Sequence, residues 1–565
     1  MSYTSDDTLT ELNLKESSLT REVAKLLKEL AHVRCQINAY SLASRLPPEV
    51  LLEFFFYVLW GEKDSRVFQR MVATIPQVCR LWKHTALSCQ TLWTHIRPWS
   101  EPSFSSLAHR SAKQPLHVFI NMAEGRKDLM ITKKRMDNIN GACQAIQHHT
   151  IRVTTLDLTL TVEIMENFAE LLGCCRWDLL ESLSLAVTMN DPGMSQVDLR
   201  FASHPPQNLR HLTLRNIFPL WNDGGIFKNI RELHLHGPSG DPSYLREILP
   251  TTSEALDLLE SCPTLEELGL YCWGPTPLPD HATTYPDPER SLKLPSGLRS
   301  LFIEGSLELD IAHLLANLVI PATTKVRLAP FWTIAKESHR ECSGLLSSLP
   351  IRQPDHSLLS IASVSTISVS ADQERRLDVP LEISASRRVE QTGFGELSLC
   401  VQREGYYSLL RPNDLAYEKI LLNTLLELGQ VFQSSTLRTL HLSFPVGYLM
   451  LVTEESWQSV LQDLTSLTSL RYRRVLDAGE DLERLDFDVE TLLPLLGAIC
   501  YAQHDDGDSI LPKLELLNFD NLGEDLVDAL IPDMLDCIEE RRLGMTTFQL
   551  VVDGTPLDYP PLVKP

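Results

Sequence analysis

One short phrase, L-x-x-L-x-L, recurs along most of this chain and restricts its fold more than any other feature. It occupies Val153–Leu158, Leu180–Leu185, Leu209–Leu214, Ile230–Leu235, Leu265–Leu270, Leu298–Ile303, Leu437–Leu442, Leu467–Tyr472 and Leu514–Phe519. Weaker copies stand at Lys325–Leu328, Thr366–Val369, Glu396–Leu399 and Thr547–Val551. The central residues Leu156, Leu183, Leu212, Leu233, Leu268 and Leu301 are 27, 29, 21, 35 and 33 residues apart. Alternation within the phrase describes a short strand with its leucines on one face. Between phrases lie helical patterns at Ile164–Cys174, Ser253–Cys262, Ile311–Leu318 and Leu415–Phe432. One strand and one helix cannot bury their own apolar faces, whereas a stack of such pairs makes a continuous core. Strands of an unrelated α/β domain are the competing reading.

The phrase resembles the leucine-rich repeat in irregular form. That resemblance implies a solenoid over 151–565 with a curved parallel sheet and outer helices. The residues between the leucines would then face outward on the concave side. They are His211, Thr213, Arg215, Glu232, His234, His236, Glu267, Tyr271, Phe302, Glu304, His441, Arg471 and Arg473. The expected target-binding set is His211, Arg215, His234, His236, Tyr271, Phe302, Glu304, His441, Arg471 and Arg473, on one continuous surface. Tyr271, Phe302 and Arg473 are its expected anchors.

A second constraint lies upstream, between Leu46 and Trp93. Pro48 suits a first helical position and Glu49 the first turn. From Val50 to Trp60 the only charged residue is Glu53, so this helix is apolar on every side. One face can pack on its own domain, and the other calls for a second protein. A further helix is expected from Ile75, with Val78, Leu81, Trp82 and Ala86 in helical spacing. Gly61–Arg66 reads as a loop.

Leu46, Pro47, Glu49, Leu52, Val78, Trp82, Leu92 and Trp93 give this stretch a resemblance to the F-box, although Gly61–Thr74 is longer and more charged than that family's usual loop. The resemblance implies a substrate receptor of an SCF-type ubiquitin ligase, docked on the small cullin adaptor and through it on the cullin. The residues expected to meet the adaptor are Leu46, Pro47, Pro48, Glu49, Leu51, Leu52, Phe55, Val78, Cys79, Trp82, Leu92 and Trp93. Such a receptor supplies no catalytic residue and needs no cofactor. The alternatives are a non-catalytic scaffold outside any ubiquitin ligase, or an ordinary buried helical hairpin.

The expected class is thus α + α/β, in four parts. Residues 1–41 form a helix or short coiled coil, 42–98 the small all-α F-box module, 99–150 a connector with an irregular first repeat, and 151–565 the solenoid. In the first part Leu12, Leu19, Leu26, Val33 and Tyr40 take heptad position d. Val23, Leu30 and Ile37 take a, where Glu16 interrupts. This seam serves either self-association through residues 12–40 or packing on the chain's own F-box. Leu116–Ile120 reads as a strand and Leu129–His148 as a basic helix. Tyr271–Pro295, Ser370–Arg388 and the acidic Asp477–Glu490 read as long connections. His504–Ser509 resembles a calcium loop only superficially, because it lacks the full D-x-D-x-D-G and a glutamate at the required distal place.

Net charge is −23, unevenly spread: residues 1–150 carry 19 basic against 14 acidic residues, and the rest 32 against 60. So acidic a body repels nucleic acid and anionic membranes, and favours a basic partner. The twelve cysteines have neither zinc-site nor disulfide spacing, and the polar, acidic N-terminus is unlike a signal peptide. A cytoplasmic or nuclear protein is expected. Nucleophile elbows, phosphate loops and metalloprotease motifs are missing, and the adjacent His148 and His149 point too far apart to share a metal.

Overall fold

The computed structural model describes residues 4–41, 45–62, 64–122, 133–188, 205–217, 225–237, 249–273, 290–304, 308–321, 323–329, 331–332 and 349. Beyond these it describes 366–373, 377–387, 395–401, 421–428, 437–444, 449, 451–474, 485–501, 511, 513–522, 524–544 and 548–557. The fold mixes helices with a largely parallel sheet. It divides into two compact units, Met1–Leu209 and Arg210–Pro565. The expected boundaries at 42, 99 and 151 therefore mark changes of element type inside the first unit.

The first unit runs α1 (Thr4–Ala39), α2 (Pro48–Trp60), α3 (Ser65–Val78), α4 (Arg80–Ser88), β1 (His95–Ile96) and α5 (Glu101–Arg110). It continues with β2 (Leu116–Asn121), α6 (Lys133–Ile146), β3 (Val153–Leu160), α7 (Val162–Cys174) and β4 (Ser182–Val187). Pro48 starts α2 as expected of a residue lacking an amide hydrogen. The next helix differs from expectation. It begins ten residues before Ile75, because the Asp64 carboxylate accepts the amides of Arg66 and Val67 at 2.7 and 3.0 Å. Phe68, Val72 and Ile75 then form its buried row. The run ends at Cys79, whose extended backbone (φ −158°, ψ 172°) starts α4 anew, so Ile75–Ala86 is not one helix.

In the same unit β1, β2, β3 and β4 pair in parallel and in chain order. Ile96, Val118, Leu156 and Leu183 fall opposite one another, each at most 1% exposed.

The second unit contains β5 (His211–Arg215), β6 (Glu232–His236), α8 (Thr252–Glu260), β7 (Glu267–Tyr271), β8 (Leu292–Lys293), β9 (Ser300–Glu304) and α9 (Glu308–Ala316). Next come β10 (Leu318–Val319), β11 (Lys325–Ala329), β12 (Phe331–Trp332), β13 (Thr366–Gln373), β14 (Leu377–Arg387), β15 (Gly395–Val401) and β16 (Leu437–Phe444). Last are α10 (Glu454–Gln462), β17 (Ser469–Arg474), α11 (Leu485–Tyr501), β18 (Leu516–Asp520), α12 (Glu524–Gly544), β19 (Gln549–Val552) and β20 (Thr555–Pro556). Strands β5, β6, β7, β9, β11 and β13 pair in parallel. So do β15, β16, β17, β18 and β19.

Register sets apolar residue on apolar residue. Leu212, Leu233, Leu268, Leu301 and Val326 form one column, and Leu440, Leu470, Leu517 and Leu550 another. Threonine hydroxyls tie successive phrases together: Thr264 donates to the Ile230 carbonyl at 2.9 Å and Thr324 to that of Leu298 at 2.9 Å. Just past β5, β7 and β18 the backbone turns left-handed at Asn216, Cys272 and Asn521. Two of these are asparagine, which tolerates that region.

Two expected connections are corrected. Ser370–Arg388 supplies the end of β13 and all of β14, which lies antiparallel between β13 and β15. Leu377, Val379, Leu381, Ile383 and Ala385 alternate with polar neighbours or Pro380, and Pro380 falls at the stretch where the β13 register slips. Residues 485–490 of the acidic stretch are the first turns of α11. Of the helix expected over Leu415–Phe432, residues 421–428 are described and helical. Most of Tyr271–Pro295, with its prolines, and all of His504–Ser509 lie outside the described residues.

The columns carry a direct test. Leu233 is fully enclosed, so Leu233→Ala should cost about 2–5 kcal/mol in denaturant unfolding. Thr213→Ala, on the outward face of the neighbouring strand, should change stability by at most about 0.5 kcal/mol. Equal effects would mean that the leucine columns are not the core.

Candidate protein-binding surfaces

Helix α2 carries two apolar rows. Leu51, Phe55 and Leu59 (spacing i, i+4, i+8) are at most 1% exposed. Val50, Phe54 and Tyr57 (i, i+4, i+7) are 48, 51 and 83% exposed. Trp82 of α4, half-buried, joins the two rows edge-on, its ring 4.9 Å from Phe55 and 6.2 Å from Phe54. The Cys79 thiol accepts the Trp82 amide at 3.4 Å and so fixes the start of α4.

The structure sorts the expected adaptor-facing residues into three groups. Leu46, Pro47, Pro48, Glu49 and Val78 are exposed, while Leu52, Cys79 and Trp82 are half-buried. Leu51, Phe55, Leu92 and Trp93 are enclosed and cannot meet a partner. Trp93 is spent internally: its indole donates to the Ala86 carbonyl at 2.9 Å, and the Arg110 guanidinium lies 4.9 Å from its ring. The apolar residues that α2 does present, Val50, Phe54, Tyr57 and Trp60, are not in the expected set. Their phase against Leu51, Phe55 and Leu59 was the available signal.

The outward face of β1 and β2 adds a feature that the repeat pattern does not announce. Trp60, at the end of α2, stacks on His95 at 4.3 Å, and His95 on His117 at 4.5 Å. Arg97 sits over Phe119 at 4.6 Å. Burial, followed by the charges of His117 and Arg97, lowers His95 to about 4, so the stack is neutral near pH 7. It holds the end of α2 against the strands of its own unit.

In the second unit the outward strand positions converge on a ladder of rings. His236 and Tyr271 stack at 4.1 Å and 4°. Tyr271 lies 5.0 Å from Phe302, over which the Arg327 guanidinium sits at 5.2 Å. Gly269 makes the ladder possible. A Cβ there would come within 2.5 Å of the His234 ring and 2.6 Å of the Tyr271 ring. Carboxylates edge the ladder: Glu232 is 2.7 Å from His211, and Glu267 is 3.5 Å from His234. Arg215 and Glu304 close the strand ends beside His236 and Tyr271 respectively. Arg327 was not among the expected residues, because its phrase is one of the weak copies.

His441, Arg471 and Arg473 form a separate group. His441 lies opposite Arg471, and Arg473 lies between Ser443 and Asp520. Strands β11, β13, β14 and β15 stand between β9 and β16. At about 4.8 Å per strand, His441 on β16 lies about 24 Å from Phe302 on β9 and about 19 Å from Arg327 on β11 along the sheet. The single continuous surface expected from sequence is therefore two patches, because the inserted β14 and its neighbours separate them.

Among the described residues no group of histidine, cysteine or acidic side chains could hold a metal ion, and no helix is long and apolar enough to cross a membrane.

Burial, with Arg215 and His234 beside it, lowers His236 from its ordinary 6.5 to about 4. A histidine depressed in the folded state contributes its stabilisation in full above pH 6.5 and loses it as pH falls toward 4. Ring NMR should give a His236 midpoint near 4, moving up toward 6.5 in Tyr271→Ala, which uncovers the imidazole. A midpoint near 6.5 in the unaltered chain would contradict the stack. No protein-family model matches the chain, and comparison with curated proteins finds no match to its sequence.

Proposed function

We propose that this chain is the substrate-receptor subunit of an SCF-type ubiquitin ligase. Residues 42–98 act as its F-box and dock the small cullin adaptor. Residues 151–565 act as an irregular leucine-rich-repeat solenoid that holds the target protein. The observation that carries the reading is the open row Val50, Phe54 and Tyr57 beside the exposed Leu46-Pro47-Pro48-Glu49 entry. Apolar side chains in such a row, next to a half-buried tryptophan, have the composition of a protein-binding core.

On this reading the work of the chain is recognition, and the transfer of ubiquitin belongs to other subunits. The ladder His236, Tyr271, Phe302 and Arg327 is the favoured target site, because flat rings supply large contact area with few rotatable bonds and the guanidinium adds a planar, charged contact. Glu232, Glu267 and Glu304 along its border favour a target segment bearing lysine or arginine.

The test is binding of the full chain to purified adaptor. Phe54→Asp with Tyr57→Asp should weaken binding by about thirty- to a thousandfold, as loss of a central apolar anchor does. Leu46→Ala with Pro47→Ala should act in the same direction. Trp93→Phe should act through stability alone, since Trp93 is enclosed. A chain that never binds adaptor, yet loses a captured partner on Tyr271→Ala and Phe302→Ala, would be a scaffold outside any ubiquitin ligase.

A further inference from the structure

Helix α1 is 36 residues long, which corresponds to about 54 Å. Its apolar seam is exposed. Leu9, Leu12, Leu19, Val23, Leu26, Leu30, Val33 and Ile37 are between 45 and 64% exposed. The packing of this seam on the chain's own helical module, one of the two sequence readings, is therefore not what the structure adopts. A stripe this long and apolar is not stable facing water and calls for an occupant.

We infer that the occupant is α1 of a second copy of this chain, in a parallel two-stranded coiled coil. The seam is regular: Leu9, Glu16, Val23, Leu30 and Ile37 occupy a, and Leu12, Leu19, Leu26 and Val33 occupy d. β-Branched residues at a with leucine at d favour two parallel strands; Val23 and Ile37 at a with Leu12, Leu19 and Leu26 at d follow that rule, while Leu9 and Leu30 at a and Val33 at d do not.

One flanking charge pair complements a copy of the same helix. In a parallel pair each g position faces the following e position of the other strand, which sets Glu29 against Arg34 of the second copy. Glu16, the one charged core position, lies beside Lys15 at the adjoining g position of the second copy. A polar residue at a single a position fixes register at a cost in affinity, and Glu16 takes that part here. The pairing stands independently of the adaptor reading. Two copies joined this way present two ladders, so a target with two matching segments is held by avidity.

The experiment is light scattering on the full-length chain at micromolar concentration. The expected mass is twice the 63.9 kDa of one chain. Leu26→Lys with Leu30→Lys should return the mass to one chain while the melting of the body is unchanged. Glu29→Arg and Arg34→Glu should each weaken the dimer, and the two together should restore it; Glu16→Leu should tighten it. A monomeric unaltered chain would overturn the inference, as would a dimer indifferent to Leu26→Lys with Leu30→Lys. Failure of the double charge reversal to restore pairing would exclude the parallel register, and a trimeric or larger mass would exclude two strands.

Discussion

The structure depends on leucine facing leucine across parallel strands. In the second unit Leu212, Leu233, Leu268 and Leu301 are opposite one another in register, and each is at most 1% exposed. A slip of one residue would turn every one of these side chains into water, so the buried column fixes the pairing. It fixes the other face too. His236, Tyr271, Phe302 and Arg327 meet in a row because the residues beside them are pinned inward. Long and varied connections between phrases are compatible with this, since closing a longer loop costs little additional entropy.

The same division of inner and outer rows operates at helical period in α2. Leu51, Phe55 and Leu59 anchor the helix to its own unit, leaving Val50, Phe54 and Tyr57 on the opposite side. Trp60 stacked on His95 holds the end of the helix, and Trp82 braces its middle. A rigid apolar row on a braced helix is already arranged for docking, with little ordering left to do on binding. That is the physical basis of the proposed receptor role.

The strands were legible in the sequence because alternation marks both their existence and their inner face, and even the weak copies at Lys325–Leu328 and Thr366–Val369 are strands. Other features were less legible, some because burial is decided by partners distant in sequence and some because a local signal was masked by its polar neighbours. Leu92 and Trp93 look like an exposed apolar close, yet both are enclosed, and Trp93 is held by Ala86 of α4 and Arg110 of α5. The start of α3 hung on Asp64, a capping signal inside a polar stretch that otherwise resembles a loop. Strand β14 was hidden by its charged residues and Pro380, although its apolar residues alternate. The ladder needed both register and Gly269, a residue with no side chain to attract notice.

In the proposed role the outer row of α2 is covered by the adaptor while the strand ladder stays open for a target. Hydrogen exchange of the full chain, with and without purified adaptor, tests it directly. Exchange should slow over residues 46–60 and 78–88 and stay unchanged over 232–236, 267–271 and 300–304. Slowing confined to the strands, or no slowing anywhere at saturating adaptor, would contradict it.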